Sequence, residues 1–405
     1  MTATERDGGA PTLHLVVVGA AVLLSSIAAF FRVPILPTLG AELQMDAAQL
    51  GLITTVFAVG RIVTDVPAGR LTDRVRTLTL LTASSAILTV GSLLLAGARS
   101  PSGALGAAFV LGVASSISNT TGMTFFSTAR PAASRGRTLA LYSASLLVGQ
   151  ALGPTAGGLL AGPFGWRGAL AGAAIVGGLL LVATRITAAA VRPPIGSRRA
   201  VGTVAATGAA TPAPEASRSS EREVRLLLLV PFTLFFVLGS LPQTLIPIIG
   251  AERHGLDAGA IGLALGVGGL CRLLGVLVGG RISDHIGRKA ALVPGMLIML
   301  GGVAMLGLGG VGSWMAAIVL LSLGTSGLGS AATMLTDLTG GHGIGRRMGT
   351  FRLFGDLGLI AGPAVSTGIY VTAGQRATVA VLGVLLAASS LTIALVVRET
   401  RGRTD

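Results

Sequence analysis

The segment GRLTDR at residues 69–74 occurs a second time, with conservative changes, as GRISDH at residues 280–285, which is 211 positions further along the chain. Arg61 and Arg272 are separated by the same 211 positions, and Pro37 and Pro247 by 210. GQALGP at 149–154 is echoed by GLIAGP at 358–363, at a distance of 209. Repeats of four kinds at nearly one offset predict that the 405-residue chain consists of two homologous halves.

The composition indicates a membrane protein. Apolar residues make up 51% of the chain and charged residues 11%, where a soluble protein carries about a quarter. A soluble fold of this length could not bury so much apolar surface. The 61 glycines suit closely packed membrane helices. The single cysteine, Cys271, excludes a disulfide framework and a cysteine-based metal site.

Apolar runs of about 20 residues, the length that crosses a bilayer, occur twelve times. We therefore predict an all-α polytopic membrane protein with spans 1–12 at residues 13–33, 47–68, 77–98, 103–126, 138–161, 165–187, 225–249, 259–279, 288–309, 312–336, 347–371 and 375–397. The longest break, 188–224, is rich in Pro, Ser, Thr, Ala and Arg and is typical of a flexible linker. The predicted domains are a six-helix bundle at 1–187, a cytoplasmic linker at 188–224 and a second six-helix bundle at 225–405.

The positive charges predict the orientation of the spans. A net charge of +14 could indicate nucleic-acid binding, but the charges lie in short clusters between apolar runs, so no nucleic-acid partner is predicted. Alternate connecting segments hold 23 of the 30 basic residues, which predicts that both termini and the linker are cytoplasmic. The outer segments are predicted to hold five, namely Arg32, Arg99, Arg167, Arg253 and Arg376.

These motifs resemble the major facilitator superfamily over essentially the whole chain. Residues 69–76 and 280–289 resemble its two loop signatures, after spans 2 and 8. Residues 149–158 and the PILP sequence at 34–37 resemble the branch that exports drugs in exchange for protons. The resemblance implies two six-helix bundles that alternate in access to a central cavity. Span 4 of that branch usually carries an arginine, but residues 111–119 contain none, so coupling must use other residues.

The two loop signatures are predicted to act as conformational latches. A glycine lets a neighbouring helix approach, and an aspartate can cap exposed amides. The alternative is a plain basic turn. The latch residues are Gly69, Arg70, Asp73, Arg74, Gly280, Arg281, Asp284, Gly287 and Arg288.

The glycine and proline motifs of spans 5 and 11 are predicted to form thin, kinked helices at the boundary between the halves. The alternative is small-residue packing with no moving role. The residues concerned are Gly149, Gly153, Pro154, Gly157, Gly158, Gly358, Gly362 and Pro363.

Charged residues inside spans are costly and are usually functional. Span 2 holds Arg61 and Asp65, and span 11 holds Arg352 and Asp356, four residues apart in each case. The resemblance implies that these spans are antiparallel neighbours, which would pair Arg61 with Asp356 and Asp65 with Arg352. We predict a charge lock, made of these two pairs, that closes the cytoplasmic side and is weakened by protonation of either aspartate. The alternative is that each pair is satisfied within its own helix.

Arg272 in span 8 has no matching carboxylate, because Val276 and Leu147 occupy the equivalent positions. It is predicted either to meet an anionic substrate or to bond helix carbonyls and Asp337. The resemblance places the substrate cavity between spans 1, 4, 7 and 10. The candidates there are Ser25, Ser26, Phe30, Ser115, Ser118, Asn119, Thr120, Phe235, Gln243, Ser322, Thr325 and Ser326.

The predicted function is secondary active transport by alternating access, with export of a small organic molecule in exchange for protons. An importer of an organic anion is the main alternative, and a transport-dead receptor a remote one. The scattered histidines, the missing nucleotide-binding loop and the lack of paired carboxylates exclude an enzyme, a metal site and a cofactor other than an ion gradient. The expected setting is a monomer that crosses the cell membrane many times, with a small-molecule substrate and the lipid bilayer as its partners.

Overall fold

The computed structural model describes residues 12–130, 135–190, 218–339 and 344–400. Every regular element in these ranges is helical. The α-helices are α1 (Thr12–Phe30), α2 (Arg32–Leu43), α3 (Ala47–Arg74), α4 (Thr77–Ala96), α5 (Pro101–Thr128), α6 (Arg135–Ala190), α7 (Arg218–Leu227), α8 (Leu229–Ser240), α9 (Ile246–His254), α10 (Ala258–His285), α11 (Arg288–Leu306), α12 (Val311–Leu323), α13 (Leu328–Leu338) and α14 (Ile344–Val396). A π-helical turn at Leu241–Leu245 joins α8 to α9, and a 3-10 turn at Gly324–Gly327 joins α12 to α13.

Ten helical stretches among the described residues are long and apolar enough to cross a membrane. Two of them, within α6 and α14, contain 53 and 50 residues, which is more than one crossing needs. Each is interrupted by a glycine with positive φ, Gly165 (φ 67°) and Gly374 (φ 80°). Only glycine adopts this backbone conformation without a steric penalty, so each long helix consists of two segments.

The first apolar stretch corrects the predicted end of span 1. Helices α1 and α2 follow each other directly, and the apolar stretch continues from His14 to Leu43 rather than ending at residue 33. Arg32 therefore belongs to the helix, and the prediction that it lies in an outer segment is wrong. Pro37 lies inside α2 and Pro247 inside α9, so neither proline ends a span.

The predicted linker at 188–224 is shorter than expected. Helix α6 continues to Ala190, and α7 already begins at Arg218. The remainder of the predicted linker, 191–217, lies outside the described residues.

The two halves repeat one another in structural detail. Helices α3 and α10 have 28 residues each and begin 211 positions apart. Asp46 accepts a 2.7 Å hydrogen bond from the amide of Gln49 before α3, and Asp257 accepts one of the same length from Ala260 before α10. Both aspartates satisfy an amide that the first helical turn leaves free. This matched pair of caps was not predicted from the sequence.

The helices cross between two faces of the molecule. The basic face carries the loops at 69–76 and 280–289, where α3 and α10 end. The opposite face carries the caps Asp46 and Asp257 and the breaks at Gly165 and Gly374. On the opposite face Glu42 accepts hydrogen bonds from Trp166 and Arg167, which ties α2 to the second segment of α6.

Candidate functional site

A cavity of about 510 Å³ lies between the two halves on the side of the basic face. Its walls come from α3, α5, α6, α8, α10, α13, α14 and the 3-10 turn. The charged residues that line it are Arg61, Arg272, Arg352 and Asp356. The remaining lining is largely apolar and includes Leu147, Phe235, Val276, Met348 and Phe351.

On the opposite face α3 packs directly against α14. A methyl group at Gly51 would overlap the side chain of Thr367, and Thr55 Oγ1 donates a 3.0 Å hydrogen bond to the carbonyl of Ile360. These pairs run in opposite directions along the chain, so α3 and α14 are antiparallel neighbours, as the sequence resemblance implied.

Helices α6 and α10 make a second contact of the same kind. A methyl group at Gly158 would overlap the carbonyl of Ala258, and one at Gly262 would overlap the carbonyl of Pro154. Thr155 Oγ1 donates a 3.3 Å hydrogen bond to the carbonyl of Gly262. We call the α3–α14 and α6–α10 contacts together the opposite-face seal. The cavity is thus closed on one side and lined by charge on the other.

A second cavity of about 70 Å³ lies between the seal and the large cavity. Arg272 lines both cavities, and its Nη1 donates a 3.1 Å hydrogen bond to Oε1 of Gln150 in the other half of the chain. Its Nε is buried without a hydrogen-bond partner. The predicted alternative partner of Arg272 is wrong, because Asp337 instead lies 3.5 Å from Arg288 and accepts a bond from Thr400.

The predicted charge lock is not formed in this conformation. Within the described residues, no nitrogen of Arg61 or Arg352 lies within 4.0 Å of a carboxylate oxygen, so neither the pairing between helices nor the alternative pairing within each helix is present. Asp65 accepts hydrogen bonds from Ser116 and Thr120 of α5 instead. Asp356 nevertheless interacts electrostatically with Arg61, Asp65 and Arg352, so the four charges form one cluster.

A further charge, Arg32, is buried in the first half of the molecule. Its residue is 1% exposed, and its three guanidinium nitrogens have no hydrogen-bond partner among the described residues. The guanidinium carbon lies 4.1 Å from the ring centroid of Phe57, a cation–π contact, and the group also interacts electrostatically with Arg61. Sequence reasoning missed it because span 1 was ended beside the charge. The apolar residues that resume at 33–43 were the available signal.

Comparison with known proteins identifies the family. Residues 18–330 and, in an overlapping match, 232–405 fit the Major Facilitator Superfamily. The chain belongs to this superfamily. The prediction from the sequence motifs is confirmed, and the chain is a multi-pass membrane transporter rather than an enzyme.

Curated relatives align over most of the chain. It is 27% identical over 376 residues to the class C tetracycline resistance protein of Escherichia coli, covering 89% of this chain and 90% of the relative. It is also 27% identical over 359 residues to the class G tetracycline resistance protein of Vibrio anguillarum, covering 84% and 86%.

Solved structures share the fold. A crystal structure of a bacterial homologue of the human lysosomal transporter Spinster, in an inward-facing and occupied conformation, matches with a TM-score of 0.76 at 16% identity. The match covers 95% of this chain and 96% of that one.

The major facilitator loop signatures differ in their contacts. A methyl group at Gly69 or Gly280 would meet nothing within 4 Å. The predicted close approach of a neighbouring helix to these glycines is therefore wrong. Arg70, Asp73, Arg74 and Arg281 are exposed.

In the second signature, Arg288 pairs with Asp284 at 2.7 Å. The N-cap residues of α4 and α11 make no side-chain capping hydrogen bond. The predicted capping of these helices by Asp73 and Asp284 is therefore absent. Glu399 from the end of the chain instead accepts 2.9 Å bonds from the amides of Arg288 and Lys289, and a methyl group at Gly287 would overlap that carboxylate.

The glycine motifs of α6 and α14 serve two kinds of contact. Most of their glycines face the neighbouring helix of the same half. Gly149, Gly153 and Gly157 pack against residues 23–31 of the first span, while Gly358 and Gly362 pack against α8. These five therefore correspond to the alternative of small-residue packing. Gly158, the carbonyl of Pro154 and the carbonyl of Pro363 lie at the boundary between halves.

The predicted cavity residues divide into two groups. Phe30, Gln243 and Ser322 line the small cavity, and Phe235 and Thr325 line the large one. The others are not among the residues that line either cavity. They are Ser25, Ser26, Ser115, Ser118, Asn119, Thr120 and Ser326.

Three residues of the second group make contacts between helices. Thr120 bonds Asp65, the carbonyl of Asn119 accepts from Tyr142, and Ser26 contacts Gly149. A polar residue on a span therefore did not by itself mark the cavity, because short hydroxyl side chains also serve contacts between helices.

Proposed function

We propose that this superfamily member exports a small organic molecule from the cytoplasm in exchange for protons. In this proposal a monomer crosses the cell membrane twelve times as two six-helix bundles, because each of the two long helices supplies two crossings. The basic face, both termini and the linker lie in the cytoplasm, as the excess of arginines there favours.

The observation that carries the proposal is the cavity closed at one face and open towards the other. Direct contacts between helices of the two halves close the opposite face, and the cavity beyond them reaches the basic face. The contacts of the seal join two separate pairs of helices, so rocking of the halves can break them without disturbing the packing inside either half. Alternating access requires these two states.

Export is supported by the relatives. Two tetracycline resistance proteins align with this chain over more than four-fifths of its length. Resistance proteins protect cells from a drug, and a transporter does so by removing it. Tetracycline itself is therefore the first export substrate to test.

Proton coupling is assigned to Asp65 and Asp356. Both belong to the charge cluster, and Asp356 also lines the open cavity. When the basic face closes, Asp356 meets Arg61 and Asp65 meets Arg352, which forms the lock. A proton on either carboxylate removes the attraction and favours the state that is open to the cytoplasm.

The test is transport by the purified protein in liposomes with an imposed pH gradient. Asp356→Asn and Asp65→Asn are expected to lose at least tenfold in gradient-driven tetracycline movement while exchange without a gradient continues. Glu221→Gln, which alters an exposed carboxylate outside the cluster and outside the loop signatures, is the control and should behave as the unmodified protein. Full gradient dependence in both cluster variants would overturn the coupling assignment.

Import of an organic anion is the second candidate, favoured by the position of Arg272 on both cavities. The direction of transport decides between the two. Right-side-out and everted vesicles with the same pH gradient should give opposite results for an importer and an exporter.

A further inference from the structure

Two arginines at equivalent positions of the two halves face the same cavity. Arg61 of α3 and Arg272 of α10 are 211 residues apart, and each follows its capping aspartate, Asp46 or Asp257, by 15 residues. Both line the cavity of about 510 Å³. The repeat thus presents two guanidinium groups to one cavity, one from each half.

Neither arginine is neutralised by a close carboxylate. Within the described residues Arg61 forms no hydrogen bond or ion pair, and Arg272 bonds only the neutral amide of Gln150. The Nε of each is buried without a partner. Arginines at the two faces differ, since Arg167 and Arg288 each have a carboxylate oxygen at 2.7 Å.

The cavity as a whole carries excess positive charge. Three arginines line it but only one aspartate, Asp356, and Arg32 adds a further buried charge that interacts with Arg61. Asp65, which accepts hydrogen bonds from hydroxyl groups of α5, adds a second negative charge, so the region still holds four arginines against two aspartates. Unpaired charges are costly in a membrane interior, and a bound anion would lower that cost.

We propose that the substrate is an amphipathic organic anion whose negatively charged groups bind Arg61 and Arg272. The proposal rests on the transport function above and names its substrate class. A guanidinium presents a planar fork of donors that matches a carboxylate. The apolar body of the substrate lies against Leu147, Phe235 and Phe351, which line the same cavity.

Binding of two dyes that share one ring system and differ in charge tests the substrate class. Fluorescein is anionic at about pH 8 and rhodamine 123 is cationic, and fluorescence anisotropy of either dye reports binding to the purified full-length protein in detergent. Fluorescein is expected to bind at least tenfold more tightly than rhodamine 123. This comparison uses the unmodified protein and so does not depend on how a variant folds.

Variants then test the assigned residues. Arg272→Gln and Arg61→Gln should each weaken fluorescein binding at least tenfold and leave rhodamine 123 binding unchanged or tighter. Arg272→Lys, which keeps the charge but loses the fork, should fall between. Arg99→Gln changes an exposed arginine far from the cavity and should have no effect. Size-exclusion profiles and thermal unfolding identify any variant that fails to fold.

Equal or tighter binding of rhodamine 123, fluorescein binding that is insensitive to both Gln substitutions, or no binding of either dye at millimolar concentration overturns the anion site. Dye movement in liposomes separates this outcome from failure of the transport proposal. Gradient-driven export of rhodamine 123 alone would retain export and reject the anion. Arginine-dependent fluorescein binding without gradient-driven movement would retain the anion site and reject proton-coupled transport.

Discussion

Thr55 of α3 donates a 3.0 Å hydrogen bond to the carbonyl oxygen of Ile360 in α14, and this contact sets the antiparallel register of the two helices. The packing of Gly51 against Thr367 follows the same register. Continued towards the basic face, it brings Arg61 level with Asp356 and Asp65 level with Arg352, to within about one helical turn. The charges are therefore aligned in depth but separated by the open cavity.

Exchange of the charges of Asp65 and Arg352 tests whether this alignment becomes an ion pair. Asp65→Arg and Arg352→Asp are each expected to reduce transport at least tenfold, because each would place like charges at one level. The double exchange should recover a large part of the loss, which a double-mutant cycle of transport rates in liposomes measures. Additive losses would argue that the two residues never meet.

The opposite-face seal should open when one of its glycines gains a side chain. Gly262→Val is expected to shift the molecule towards the state open at the opposite face, since the methyl groups would overlap the carbonyl of Pro154. The measurement is labelling of Phe30→Cys, in a Cys271→Ser background, by a membrane-impermeant maleimide, with an expected increase of at least fivefold. Gly368→Val, at a position where an added methyl group would meet nothing within 4 Å, is the control. Unchanged labelling in Gly262→Val would contradict the assignment of the seal.

Replacement of Arg32 should make the protein more stable and less active. Its unpartnered nitrogens are buried, and each unsatisfied buried polar group costs about 1–3 kcal/mol. Arg32→Leu is therefore expected to raise the unfolding temperature in detergent by a few degrees. Transport should fall, because a costly buried charge is retained for function. Arg99→Leu, at an exposed position, should change neither quantity, and a destabilised Arg32→Leu would show that the arginine has a structural role.

The end of the chain should stabilise the second loop signature. Glu399 accepts bonds from two amides at the start of α11, so Glu399→Ala is expected to cost about 1 kcal/mol of stability and to hasten proteolysis between α10 and α11. Glu221→Ala, which removes only an exposed 3.6 Å pair with Arg225, is the control. Equal effects of the two substitutions would mean that Glu399 acts merely as a surface charge.

Local chemistry explains which features were predictable. Arg61, Asp65 and Asp356 were predictable because a charge inside an apolar run is costly and is usually functional. Arg32 was not, since the same charge was taken as the end of its run, although nine uncharged residues follow it before Glu42. The rule that identified five charges within spans 2, 8 and 11 thus missed the charge in span 1.

Contacts between helices were less predictable, because they depend on rotation and register that no local pattern contains. Gly157 and Gly158 are adjacent in the sequence, yet one packs on Phe31 of its own half and the other on Ala258 of the other half. Arg272 finds Gln150 across the boundary, which required both helices to be placed. The proposed charge lock requires in addition a second conformation, closed at the basic face.

The opposite-face seal has a consequence for the ion gradient across the membrane. Where α6 meets α10, backbone carbonyls lie against Gly158 and Gly262 and the Thr155 hydroxyl bonds the carbonyl of Gly262, so the two helices are in direct contact. Such a contact is expected to block protons and ions as well as the substrate. If export is coupled to protons as proposed, a molecule without bound substrate should therefore leak neither protons nor other ions, and the gradient is preserved.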